Sequence, residues 1–512
     1  MSAIPHERRD ASPIREVALP AVWIDGSEVT ANAIRTLGPL RIRQEVSAPA
    51  VCELELDLTS ALNQPRHAMA LRVRMEGSAD DAFTGEIVAI THVLGPDGIY
   101  RVRIRAFDRS HRLRQTSGVI AHTDMTVAAV AETLVAPHGL GVSADASGPL
   151  WPRVIQSGES DLEFLSRLAA EAGLWWQLEG DTLRLRAWEP GDEHEVAWGY
   201  DLLEAVVDSD ATAAATSVRT IGWDPVVRQI WDTAATSSRA GERTFSGDAL
   251  LGGTGEVVMA GGIYPTANHA EALAQSELDY RSGGAATIRA VVRGDLRWRP
   301  GAGIKLADQA DEIAGPYLIT AVEHVVDGFS GYVCVVSSRP IAGPVRRSPG
   351  TTGFTIAKVL DIDDPDHAGR VRVSFPALDG IESEWLPVLS LGAGEDKGLF
   401  CQPDIDDTVL VLQSGDDLGR GVVLGGLFAD QLPGDNAGVV DRAVRRFGWH
   451  TSDGQRLLLN RDGDSLVISN SAGSRIELNE DGVLLHAEAD LIIEAPGKKM
   501  IIRADTVDFE RR

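Results

Sequence analysis

The sequence predicts a mainly β protein of several domains, and three observations predict it. Short segments alternate apolar and polar residues at period two, the mark of strands with one buried face. The 52 glycines set against 5% aromatic residues fit a chain with many tight turns. The C-terminal stretch repeats turn signals about every ten residues, at Asp453-Gly454, Asp462-Gly463, Ala472-Gly473 and Asp481-Gly482. A unit this short cannot bury its own apolar face, so it belongs to a solenoid or an intertwined oligomer. At 512 residues the chain exceeds one ordinary domain.

From Val17 to Ile120 strands dominate. Val51-Cys52-Glu53-Leu54-Glu55-Leu56, Ala70-Leu71-Arg72-Val73-Arg74-Met75 and Tyr100-Arg101-Val102-Arg103-Ile104-Arg105 each alternate. Gly95-Pro96-Asp97-Gly98 reads as the turn of a hairpin ending in the Tyr100 segment. A first helix is predicted from Met125 to Ala136, capped by Thr123 or Asp124. A second follows Ser160-Asp161, with Leu162, Phe164, Leu165, Leu168 and Ala169 as its stripe and Gly173 as its stop. Trp175 to Leu185 reads as a hairpin and Ala270 to Tyr280 as a third helix, while the structure of Asp208 to Val258 is left unassigned.

Arg339 to Gly353 is rich in Pro, Gly, Arg and Ser and marks a linker. About five strands between Phe354 and Phe428 suggest a small barrel of the OB type. Residues 429–448 read as a second linker, and residues 449–512 as the repetitive tail.

The formal charge of −27 argues against nonspecific nucleic-acid binding, which needs cations on phosphates. In the OB block Trp385 is the only tryptophan among acidic loops, a poor platform for stacked bases. Cys52, Cys334 and Cys401 are odd in number and lack metal-ligand spacing, which fits a reducing compartment and buried thiols. Residues 1–16 are polar and read as a flexible N-terminus without the apolar core of a signal peptide.

Three ordered elements carry a family resemblance: Phe83-Thr84-Gly85-Glu86-Ile87, Phe107-Asp108-Arg109-Ser110-His111-Arg112-Leu113, and Val154-Ile155-Gln156-Ser157-Gly158-Glu159-Ser160-Asp161-Leu162-Glu163-Phe164-Leu165. This trio resembles the hub domain of phage-tail and type VI secretion spikes, the VgrG and late-control-D group. Arg297-Trp298-Arg299-Pro300-Gly301 is similar to that family's Pro-Gly turn. In the OB block, Asp364-Pro365 and Gly369-Arg370-Val371-Arg372-Val373 come first. Trp385, Pro403, Asp407-Thr408-Val409-Leu410-Val411 and Gly415-Asp416 follow in the order found in the family's OB domain.

The resemblance implies a hub of two tandem β-barrels with short helices over residues 17–338 and an OB-fold barrel over 354–428. It implies an intertwined trimeric β-helix or prism over 449–512. Its function would be that of a structural central spike and hub of a contractile injection machine, most like the extracellular kind. The implied partners are two further copies in a homotrimer, inner-tube and baseplate proteins, a PAAR-type tip protein docking near Phe509, and effector cargo. The particle would be assembled in the cytoplasm and would meet a membrane only by mechanical puncture. Candidates for the trimer core are Leu457, Leu459, Val467, Ile476, Leu478, Leu485, Leu491, Ile493, Ile502 and Val507. Alternation sets their spacing but not which parity faces inward.

No catalytic, cofactor or metal residue is assigned. Gly463-Asp464-Ser465-Leu466 spells a serine-hydrolase motif at the start of a repeat strand. His194-Glu195 begins a zinc-protease motif but has Trp198 at the second ligand position. Asp361, Asp363, Asp364 and Asp366 imitate a calcium loop interrupted by Pro365, and read instead as a solvated barrel loop. Gly301-Ala302-Gly303 and Gly392-Ala393-Gly394 lack the third glycine of a dinucleotide site. His111 reads as a structural histidine, and His486 stands alone on the tail. The alternatives are a spike bearing an enzyme or effector, and an OB-type nucleic-acid binder.

Overall fold

Alternating burial along short strands gives the expected mainly β architecture. The computed structural model describes residues 20–29, 39–57, 64–94, 96, 100–212, 214–224, 229–240, 255–262, 264–328, 330–340, 352–414, 421–428 and 431–510. Most of the Gly95–Gly98 turn and of the Arg339–Gly353 linker, and all of residues 1–16, lie outside them. The chain divides into two units, residues 1–425 and 426–512.

In the first unit, the two expected barrels appear as two lobes of one eleven-stranded sheet. Strands at 20–24, 27–28, 40–45, 51–57, 70–75, 81–94 and 100–107 form the first lobe, and those at 202–209, 286–293, 321–327 and 331–337 the second. Each lobe has its own core: Leu54, Leu71, Val73 and Ile104 in the first, Ile288, Val292, Trp298 and Val336 in the second. The lobes meet along one ladder of that sheet, where Leu40–Glu45 pairs antiparallel with Ala321–Asp327. On the opposite face of these strands charges interleave across the pairs, with Arg105–Glu53 and Arg103–Glu55 at 2.6 Å and Arg41–Glu323 at 3.1 Å. Such half-exposed pairs set register more than stability.

Between the lobes the chain builds a helical insertion with a third core. Its first helix spans Val127–Val135, and its cap is Thr126, whose hydroxyl accepts from Ala129 N, not Thr123 or Asp124. The second helix, Asp161–Glu171, opens on a capping box. Ser160 Oγ accepts from Glu163 N while the Glu163 carboxylate accepts from Ser160 N at 2.9 Å. Ser160→Ala is expected to lower stability by about 1 kcal/mol, read as faster amide exchange in the first turn of this helix. Phe164, Leu165 and Leu168 pack against Trp176, Leu183 and Leu185 of the following hairpin.

The unassigned segment forms a three-stranded sheet at 217–224, 229–235 and 256–262. It rests on the helix Ala267–Ala285 through Val218, Ala235, Ala274 and Leu278. The OB block is a six-stranded sheet around Ala357, Val359, Val371, Val373, Phe375, Val409, Val411 and Val423.

In the second unit the expected linker at 429–448 holds a short hairpin, Val439–Val440 with Ala443–Val444. A five-stranded antiparallel meander follows at 446–450, 456–460, 465–469, 475–479 and 482–486. The repeated turns do connect its strands. Gly463 and Gly473 take φ of +75° and +97°, the left-handed region these turns require. Residues 487–510 contain no strand or helix.

Candidate functional site

The three hub motifs converge on one clamp. Gly85 passes so close to the neighbouring strand that a Cβ would lie 2.2 Å from the Phe107 carbonyl oxygen, so only glycine fits. Its neighbour Glu86 receives the Arg112 guanidinium, with Nε at 3.1 Å from Oε2 and Nη2 on Oε1. Asp108 is buried and accepts from Ala50 N at 2.6 Å, Ser110 N at 2.9 Å and Ser110 Oγ at 2.5 Å. Burial pushes its carboxyl above the usual range, against the pull of those three donors. His111 Nδ1 lies 2.7 Å from the Asp108 carbonyl oxygen and donates to it, and the ring stacks on Phe107. Arg109 spans to Asp181 at 2.6 Å and to the His138 carbonyl at 2.7 Å.

The third motif joins through Asp161 N, which donates to the Thr116 carbonyl, and through Gln156 Nε2, 2.8 Å from Asp161 Oδ1. Every charged group named here is committed to another part of the clamp. The arrangement fixes the insertion to the first lobe, and His111 is one of its struts.

The OB block has a similar organiser. Asp364 is not part of a solvated loop, as its sequence neighbours suggest. It is buried and accepts from Asp366 N, Ala368 N and Arg370 N, and takes Arg370 Nε at 3.0 Å and Nη2 at 2.6 Å. The Arg370 guanidinium beside it holds its carboxyl well below the ordinary range. Asp363 and Asp366 remain exposed. Cys52 and Cys334 are buried thiols, but Cys401 is exposed, correcting the expectation for that residue.

The tail presents a different kind of site. Its register places Trp449, Leu457, Ile468, Ile476 and Leu485 in one cross-strand row, and Phe447, Leu459, Leu466, Leu478 and Val483 in the next row of the same face. The candidates Leu457, Leu459, Ile476, Leu478 and Leu485 therefore share that face. Val467 lies on the other, in a row with Leu458, Glu477 and Leu484. Leu491, Ile493, Ile502 and Val507 fall beyond the last strand and are exposed. The same face also carries Phe447, Trp449, Leu466, Ile468 and Val483, which are not among the candidates drawn from the sequence. Among the described residues of this unit no apolar side chain is buried.

The residues of the catalytic look-alikes each have local partners. Ser465 Oγ accepts from Asn460 Nδ2 across a strand pair at 2.9 Å. His194 lies on the strand Glu193–Val196 rather than a helix, edge-on to Trp298. His486 Nε2 lies 2.8 Å from Glu488.

Comparison with known families decides the identity. The pattern of the family described as phage tail baseplate hub (GPD) matches residues 44–328, more than half of the chain. The chain belongs to the phage tail baseplate hub family. Residues 355–428 match the Type VI secretion system/phage-baseplate injector OB domain. None of the curated proteins matches the sequence.

Among solved structures, a type VI secretion system component of E. coli is 15% identical, with a TM-score of 0.50, over 79% of this chain and 99% of that one. Its description notes structural similarity to the T4 bacteriophage tail proteins gp27 and gp5. A Francisella PdpA–VgrG complex gives a TM-score of 0.53 at 9% identity over 91% of this chain and 87% of that one. At these identities the likeness establishes the fold. This hub protein is thus a structural part of a tail-like, multi-protein assembly. No helix among its described residues is long and apolar enough to cross a membrane.

Proposed function

We propose that three copies of this baseplate hub form the central spike of a contractile injection particle, with their tails packed face to face as a triangular prism. The observation that carries this reading is the apolar face of the tail sheet. Ten large apolar side chains share one face of a sheet with no buried apolar residue of its own. Exposure on this scale marks an interaction surface, and a threefold arrangement buries all three faces against one axis. The domain limits proposed from sequence are those of the tandem-lobed hub, the OB domain and the tail.

The role is mechanical and not catalytic: sheath contraction would drive tube and spike through a target envelope. Phe509 is 92% exposed near the C-terminus and would seat a PAAR-type tip protein, while inner-tube and baseplate proteins, with effector cargo, complete the partner set. The particle would assemble in the cytoplasm and act after release. Native mass measurement on the full chain tests the reading. Three copies are expected, and a stable monomer whose tail strands are protected from exchange would overturn it.

A further inference from the structure

The strand that joins the two lobes carries a buried imidazole in a setting built for its neutral form. His324 sits mid-strand in Ala321–Asp327, in register with Ile42 of the first lobe on one side and Cys334 on the other. It is 1% exposed. Its Nδ1 lies 2.9 Å from Tyr332 Oη and 3.1 Å from Cys334 Sγ. Both partners are neutral groups, since burial pushes the Cys334 thiol up to about 12 and raises the Tyr332 hydroxyl as well. The ring is also hydrogen-bonded to the Trp298 backbone, a bond that favours the charged form but is outweighed by burial, and Trp298 is itself fully buried.

Two neighbouring strands and the turn at 294–297 therefore face the ring. Tyr332 and Cys334 come from one strand, Ile42 from the other, and Asp295 from the turn, where its carbonyl is 3.7 Å from Cys334 Sγ. Asp295 is the one charged group named among them, and its carboxylate favours a charged ring only as the smallest of the influences on it. A charged ring carries N–H on both nitrogens, so Nδ1 could only donate where the neutral ring can accept the Tyr332 hydroxyl. The hydroxyl proton would then need another acceptor, with a charge sealed from water.

We propose that His324 makes the seam between the two lobes acid-labile: charging its ring releases the Ala321–Asp327 strand from the Leu40–Glu45 strand. The consequence is mechanical, because that ladder is where the two halves of the eleven-stranded sheet join. Tyr332 packs against both lobe cores, so its displacement reaches both.

The linkage has a definite sign. An opened seam takes up its proton at the ordinary histidine value of 6.5, whereas burial lowers the closed seam's value to about 4. Opening is therefore favoured as pH falls from 6.5 toward 4, and gains little more below that.

Amide exchange resolved by strand in the full chain tests this. Between pH 7 and pH 4.5, after correction for intrinsic exchange chemistry, the 40–45 and 321–327 amides should exchange roughly fifty- to hundredfold faster, ahead of the OB strands. His324→Gln keeps an acceptor and a donor but does not titrate, and should abolish the acceleration. An unchanged seam in the wild type, or the same acceleration in His324→Gln, overturns the proposal. Should that variant fail to fold, the ring's own titration by NMR decides. A neutral ring down to about pH 5, with seam opening as it charges, supports the device; charging near 6.5 with the seam still protected refutes it.

Discussion

Asp364→Ala is expected to destabilise the OB domain by about 3–5 kcal/mol, because it strands the Arg370 guanidinium in a buried site and removes the acceptor of three backbone N–H groups. Both members of the pair are buried, with relative exposures of 4% and 9%. Asp366→Ala removes only the exposed second partner of Arg370 and should cost about 1 kcal/mol or less. Exchange of the Arg370–Phe375 amides in the full chain separates the two. Equal protection in Asp364→Ala and wild type would show that the pair is idle. The acid response follows from the lowered carboxyl. Its contribution is complete above the ordinary value of 3.8 and is lost only as pH falls below that toward the folded value. Acid loss of the OB strands should thus come well below the window predicted for the hub seam.

With the tails packed as proposed, Ile468→Lys should convert trimers to monomers, while Val467→Lys should leave the assembly intact. The two residues are adjacent in sequence and lie on opposite faces of one strand. Ile468 stands between Leu457 and Ile476 in the apolar row, so a lysine there would bring three ammonium groups toward one axis. Each uncompensated charge costs several kcal/mol, of order 3–5. Lys at 467 would instead stand opposite Glu477, a favourable cross-strand pair. Sedimentation of both variants gives the answer. Monomers from Val467→Lys and trimers from Ile468→Lys would reverse the assigned faces.

What the sequence made legible was whatever a local pattern determines. The helix expected after Ser160-Asp161 starts there, closed by a four-residue capping box with its own hydrogen bonds. The hub and OB motifs were recognisable because the clamp and the Asp364–Arg370 organiser tie together residues close in sequence or in fixed order. Properties set by pairing were hidden. In Ser465-Leu466-Val467-Ile468-Ser469 three consecutive apolar residues permit either parity, and only the register Leu457 to Ile468 places Val467 outside the apolar face. The third helix runs on to Ala285 through Gly283 and Gly284, where propensity would end it, because Ala285 and Ala286 are buried. Asp364 looks like its exposed neighbours until the chain brings Arg370 back onto it.

The pairing of Leu40–Glu45 with Ala321–Asp327 also orders events during synthesis. Arg41 and its partner Glu323 are 282 residues apart. A ribosome making this chain at about 5–20 residues per second would leave the edge of the first lobe open for on the order of 14 to 56 seconds before its mate emerged. Throughout that interval the strand offers unpaired backbone groups to any passing chain. Its arginines, Arg41 and Arg43, put charge on that edge, a feature that opposes edge-to-edge pairing.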